Sequence, residues 1–200
     1  KGRYTIFGKN PDKIWEFNNN NSYLIKNKKK IKLRDKPDQL IEKIIEEFKF
    51  ETPKKLPKIC SLISGYFSYD SIRYVEKIPN KCKNDLQLPD VRLLRPRTLV
   101  IYDNLKKEIF YIVNVFNDEK IKNYVKKYEE IKIELSNLLI QSTLKITDNS
   151  SKKINKIIKV KSNTSKNKFI KMVDRAKKYI KLGDIFQVVL SQRFEAKLTK

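Results

Sequence analysis

The sequence predicts an α+β protein in which helices pack on mixed antiparallel sheets. Three observations carry that expectation. Short stretches with strand-like alternation crowd the first third of the chain, two further strands flank one tight turn, and several segments carry apolar residues at helical spacing. The 200 residues are 40% hydrophobic, enough to build a core, although 34% are charged and the formal net charge is +23. One large domain or two small ones fit this length.

Residues 3–7, 13–17, 22–25 and 31–33 read as strands of a small meander, broken by Gly8, Pro11 and the asparagines at 18–21. Asp35 stands where a helix cap is expected, with Pro37 and Asp38 in the first turn and Leu40, Ile41, Ile44, Ile45 and Phe48 on one face. Pro53 and Pro57 end that helix. Residues 59–67 read as a buried strand, 69–75 as a short helix, and Tyr66, Phe67 and Tyr69 as core. Asp70 and Arg73, three positions apart, suit a surface ion pair.

Strands over 98–102 and 109–116 are joined by a turn at 103–107. Asp118 is placed to cap the longest helix, whose apolar stripe runs through Ile121, Tyr124, Val125, Tyr128, Ile131, Leu135, Leu138 and Leu139. Residues 142–165 are polar around an apolar interlude at 154–160, and read as a linker. Ser165 then caps a helix bearing Phe169, Val173, Ala176 and Ile180, and Gly183 is its left-handed C-cap. The last strand, 184–196, puts Phe186, Val188, Leu190, Gln192 and Phe194 on one face and Ile185, Gln187, Val189, Ser191 and Arg193 on the other. Its second face borders either a polar cavity or solvent.

Composition excludes several chemistries. With no His in the chain, a Ser-His-Asp or Cys-His nucleophile, a His-ligated zinc and a His proton shuttle are all ruled out within this stretch. Cys60 and Cys82 have no metal-ligand spacing and read as reduced thiols. No run approaches a membrane span and no signal peptide opens the chain, so the expectation is a cytoplasmic protein with no membrane partner. The charge invites a nucleic-acid reading, yet only 8 of the 46 basic residues are Arg, the fork that phosphate and base recognition favours. Diffuse lysines predict nonspecific binding only; a basic patch interleaved with exposed aromatics would argue otherwise. The chain opens at Lys1 inside a strand-like stretch and stops at Lys200 just after another, which predicts a fragment of a longer protein.

The segment AKKYIKLGDIFQVVLSQRF, residues 176–194, closely resembles the entry to the chorismate-binding domain of the anthranilate synthase component I family. KGRYTIFG at 1–8 looks like that family's GRYS-type strand, and SGYFSYDSIRYVEKIP at 64–79 like its GYFGYD-type segment. LPDVRLL at 88–94 and TLVIYDN at 98–104 also fit in order and spacing. Ser61, Leu62 and Ser68 depart from the small residues and glycines usual around Gly65-Tyr66, a difference that touches a local turn.

The resemblance implies an N-terminal regulatory domain over 1–163 and the truncated start of the chorismate-binding catalytic domain over 164–200. It implies conversion of chorismate and ammonia to anthranilate and pyruvate, with ammonia from a glutamine amidotransferase subunit and Mg2+ bound by ligands beyond Lys200. It also implies that Gln187 lies at the reacting centre, where relatives that add water to chorismate carry a lysine base. Glutamine cannot take up a proton, so the site would favour ammonia. Arg3 and Tyr4 match the family's pocket for the feedback inhibitor tryptophan, a cation and a ring suited to an indole amino acid. From the residues alone, Gln187 is equally an ordinary strand polar group, and Arg3 and Tyr4 a surface and a core residue. Component I of aminodeoxychorismate synthase is the nearest enzyme alternative, disfavoured by Val188-Val189 after Gln187. A basic nucleic-acid-binding module is the non-enzyme alternative.

Overall fold

The computed structural model describes residues 2–48, 51–81, 84–143 and 159–197. It divides into two compact units, 1–145 and 146–200. Cys82 and most of the 142–165 segment lie outside the described residues.

The first unit is an antiparallel sheet built on two long strands, β1 (Tyr4–Asn18) and β5 (Val91–Asp103). Outside β1 come β2 (Asn21–Lys26) and β3 (Lys29–Leu33), joined by turns whose Asn19, Asn20, Asn27 and Lys28 take positive φ. On its other side β5 pairs with two strands placed end to end. Its start meets β4 (Ser64–Phe67) and its end meets β6 (Glu108–Val113). The free edge of β3 carries Lys29, Lys30 and Lys32.

One strand replaces the two expected over 3–7 and 13–17. β1 runs straight through Gly8 and Pro11, because Pro11 lies opposite Pro96 and neither needs to donate to the ladder there. A bulge between Pro11 and Lys13 shifts the register. Partners across a ladder share a face, so the bulge changes which parity of β1 points at the core. Before it, Tyr4 and Gly8 stand opposite Asp103 and Leu99; after it, Trp15 and Phe17 stand opposite Leu93 and Val91.

Two hydrophobic clusters follow from this geometry. In one, Trp15, Phe17, Val91 and Leu93 receive Leu40 and Ile44 from α1 (Pro37–Glu47). In the other, Leu99, Ile101 and Ile112 pack with Cys60 and the residues around it. Alternation along β5 sends Thr98 to the opposite face, where its hydroxyl donates to Glu134 of α2 (Tyr124–Thr143) at 2.6 Å.

Local expectations met mixed outcomes. The α1 N-cap is Lys36, with no side-chain cap bond, while Asp35 pairs with Lys43 at 2.8 Å. Residues 59–63 are irregular because Ile59, Cys60 and Leu62 fold over the second cluster and Ile63 over the first instead of joining the sheet, so only 64–67 is strand. The short helix is a 3-10 turn, Tyr69–Tyr74, holding the Asp70–Arg73 pair at 2.9 Å. Tyr66 and Phe67, on β4, and Tyr69, at the start of the 3-10 turn, are exposed, not core. Asn123, not Asp118, caps α2 by accepting from the Lys126 N–H. Of the α2 stripe Leu138 alone is buried, and Tyr124, Val125, Tyr128 and Leu139 are exposed.

The second unit pairs β7 (Val160–Ser162) with β8 (Phe194–Ala196) and contains α3 (Lys166–Leu182). The Ser165 hydroxyl caps α3 by accepting from the Lys168 N–H, and Gly183 closes it at φ 80°. The long strand expected over 184–196 reduces to β8. Alternation alone makes no strand; a ladder is needed, and β7 supplies only three residues of it.

Candidate functional site

Tyr4 opens β1 at the end of the sheet, and Arg3 immediately precedes it. The Arg3 guanidinium lies 4.9 Å from the Tyr4 ring centre and grips Asp103 with Nε at 3.2 Å and Nη2 at 3.0 Å. The Asp103 side chain is only 2% exposed, and it also accepts the N–H groups of Leu105 and Lys106. Held first by Arg3 and then by those amides, against the opposing effect of burial, its carboxyl titrates below the ordinary carboxylate range. Tyr4 packs on the Leu99 cluster. The two residues expected at an inhibitor pocket are thus brought together, with the cation already matched to an acid inside the fold.

A second charged constellation was not foreseen. Between β4 and β6, the Arg95-Pro96-Arg97 stretch of β5 faces a gap in the sheet. Arg95, 10% exposed, donates through Nε to Asp12 at 2.9 Å and through Nη2 to Asp118 at 2.9 Å, and a further short contact joins Nη2 to Asp12. The Phe116 ring stacks 3.7 Å from its guanidinium carbon, and Lys13 reaches Asp118 at 2.7 Å. Burial pushes the Asp118 carboxyl up, but Lys13 and Arg95 outweigh it and hold it at about 2. Beside this network opens a cavity of about 470 Å3, lined by Lys13, Ser61, Arg95, Asn114, Phe116 and Asp118. Next to it Arg97 pairs with Glu119 at 2.9 Å. The signal in the sequence was three arginines, 92, 95 and 97, inside an otherwise apolar strand.

Chemically this network is compensated: each carboxylate answers a cation, and no base stands beside a nucleophile. The buried Cys60 thiol is no candidate, since burial pushes its pKa up. Among the described residues no group of three or more acidic or thiol side chains could hold a metal ion. Asp12 and Asp118, the carboxylates that do approach one another, are taken by Arg95 and Lys13. These residues do not fit a magnesium site.

Gln187 belongs to the second unit. It sits in the irregular stretch between α3 and β8, exposed, between Phe186 at 94% and Val188 at 44% exposure. That stretch shows its apolar side chains to the surface, so neither face is identified as a substrate wall. No helix among the described residues is long and apolar enough to cross a membrane.

The chain belongs to the chorismate binding enzyme family, whose model matches residues 4–200. Anthranilate synthase component 1 of Acetivibrio thermocellus is 36% identical over 96% of this chain. The corresponding protein of Cereibacter sphaeroides is 29% identical over 97% of it. In each case the chain spans about 40% of the relative's length. The crystal structure of anthranilate synthase component I from Streptococcus pneumoniae superposes with a TM-score of 0.76 at 27% identity, over 99% of this chain and 42% of that one.

Proposed function

We propose that this chain works as part of an anthranilate synthase component I, with residues 1–163 as its regulatory domain and 164–200 as the start of its catalytic domain. The observation that carries the reading is the 36% identity to such a component over 96% of the chain. The reaction is chorismate plus ammonia giving anthranilate, pyruvate and water. Ammonia comes from a glutamine amidotransferase subunit, and the protein works in the cytoplasm. Magnesium is held by residues other than those described above.

In this reading Gln187 lines the reacting centre, offering a carboxamide that can orient ammonia but cannot deprotonate water. Arg3 and Tyr4 form one wall of a pocket for tryptophan as feedback inhibitor. The test is a product assay on the complete protein with chorismate, ammonia and magnesium. Anthranilate is the expected product; accumulation of aminodeoxychorismate, or no turnover of chorismate, would refute the assignment.

A further inference from the structure

α2 carries one apolar stripe, and the sheet covers only its C-terminal part. Towards the sheet, Leu138 is buried, Glu134 accepts from Thr98, and Ser142 accepts from the Tyr111 hydroxyl at 2.7 Å. The first turns of the same stripe leave Tyr124 at 74%, Val125 at 75% and Tyr128 at 65% exposure. With Val115, Ile121 and Ile131 these side chains line a groove of about 540 Å3 in which Lys127 is the one charged lining residue among the described residues. Clustered exposure of this kind, unlike scattered surface apolar residues, marks a contact surface.

Ile121 and Lys127 also border a second and wider cleft, of about 900 Å3. Its acids are spoken for. Asp12 and Asp118 answer Arg95 and Lys13, Glu119 answers Arg97, and Glu130 answers Lys127 at 3.5 Å. Lys26, Lys28, Lys120, Lys122 and Lys126 line the same cleft with no ion-pair partner among the described residues. Three of these five crowd the start of α2, whose first turn holds no acidic residue. Cations there oppose the helix dipole, so their placement costs stability that an approaching anion would offset.

We propose that the groove and its lysine border together dock an acidic, amphipathic segment of a partner protein. Its aliphatic or aromatic side chains enter the groove along α2, and its carboxylates meet Lys120, Lys122 and Lys126. The charge complement requires an acidic partner, and the aliphatic walls, Val115, Ile121, Val125 and Ile131, suit the apolar face of a helix. These lysines do interleave with the exposed Tyr124 and Tyr128, the pattern named above for a nucleic acid, but none of the five unpaired cations is an arginine and the groove walls are aliphatic, which favours the acidic segment. The division of labour is that lysines steer association while Tyr124, Val125 and Tyr128 set the lifetime of the complex.

The test uses a fluorescent helical peptide with leucines at i, i+3, i+4 and i+7 and glutamates on its flanks, followed by anisotropy and stopped flow. A control peptide replaces glutamate by glutamine, and a dT20 oligonucleotide is the second control. Saturable binding of the acidic peptide is expected. The exposed pair Val125→Ser and Tyr128→Ser should speed dissociation about ten-fold. Lys122→Glu with Lys126→Glu should slow association about ten-fold and flatten its salt dependence. Unchanged circular dichroism in both variants would show that the fold is intact. The proposal fails if neither variant alters binding, or if the acidic peptide shows no saturable binding up to about 1 mM. It also fails if dT20 binds more tightly through the same residues, or if the groove substitutions instead dissociate a dimer of the chain in sedimentation.

Discussion

Arg3 reaches across one hundred positions of sequence to close on Asp103 with two nitrogens, tying the residue just before β1 to the last residue of β5. The Asn104 N–H and side chain bind the Arg3 carbonyl on the other side of the same junction. The end of the sheet is therefore clasped from both sides, and the arginine that suits an inhibitor's carboxylate already serves the fold.

Arg3→Ala should lower the melting temperature at neutral pH by leaving the buried Asp103 carboxylate without its cation. Asp103 is held below its ordinary pKa, so its stabilising contribution is present above the usual carboxylate range, near 4, and is lost as pH falls through the folded value. The difference between wild type and variant should shrink on acidification. Equal melting temperatures at pH 7 would show the pair to be idle.

In the complete protein the same substitution should weaken tryptophan inhibition more than it lowers turnover, by about ten-fold or more if a charge-assisted bond to the inhibitor is lost. Inhibition curves for wild type and Arg3→Ala, with turnover measured alongside, decide the matter. An unchanged inhibition constant would leave Arg3 as a clasp alone.

Asp118 offers a cleaner titration. Lowered to about 2 by Lys13 and Arg95 despite its burial, it stabilises the fold above its unfolded pKa near 4 and loses that effect between about 4 and 2. Asp118→Asn should flatten the melting temperature against pH over that window. A profile as steep as that of the wild type would place the acid sensitivity elsewhere.

Gly65 of β4 pairs with Leu93 of β5. A Cβ built there would lie 1.9 Å from the Arg92 carbonyl oxygen, a backbone atom that cannot swing away. Gly65→Ala should destabilise the first unit by about 1–3 kcal/mol, the range of overpacking, whereas Gly2→Ala should be neutral. Chemical denaturation of the two variants gives the comparison, and equal midpoints would mean that β4 simply shifts.

Gln187→Lys should lower ammonia-dependent turnover in the complete protein, because the new cation occupies the position read as the nucleophile's neighbour. Traces of a water-derived product would follow if the lysine is partly unprotonated. Full turnover in both Gln187→Lys and Gln187→Ala would remove Gln187 from the reacting centre.

What the sequence made legible was local. α3 announced itself because Ser165 and Gly183 act within a few residues of the helix they bound. The hairpin at Asp103 was equally self-contained. Misreadings arose where a distant partner decides. Asp118 looks like a cap, yet Lys13 and Arg95 from the sheet claim it. β1 looks like two strands because the bulge after Pro11 reverses its alternation, and nothing before residue 18 reveals that β5 bridges the interruption. Periodicity identified α2 but could not say which half of its stripe the sheet would cover. The motif around Gln187 was readable as a family mark and carried no geometry of its own.

The lysines of β3 bear on how the protein behaves in a crowd. A sheet's free edge is a row of unused donors and acceptors, an open invitation for another chain to add itself as the next strand. Lys29, Lys30 and Lys32 line that edge, with Lys28 at the turn leading into it. Two such edges approaching one another bring like charges together before any ladder can form. Lysines that the sequence shows only as a diffuse excess thus gather here into a barrier against strand addition at the β3 edge.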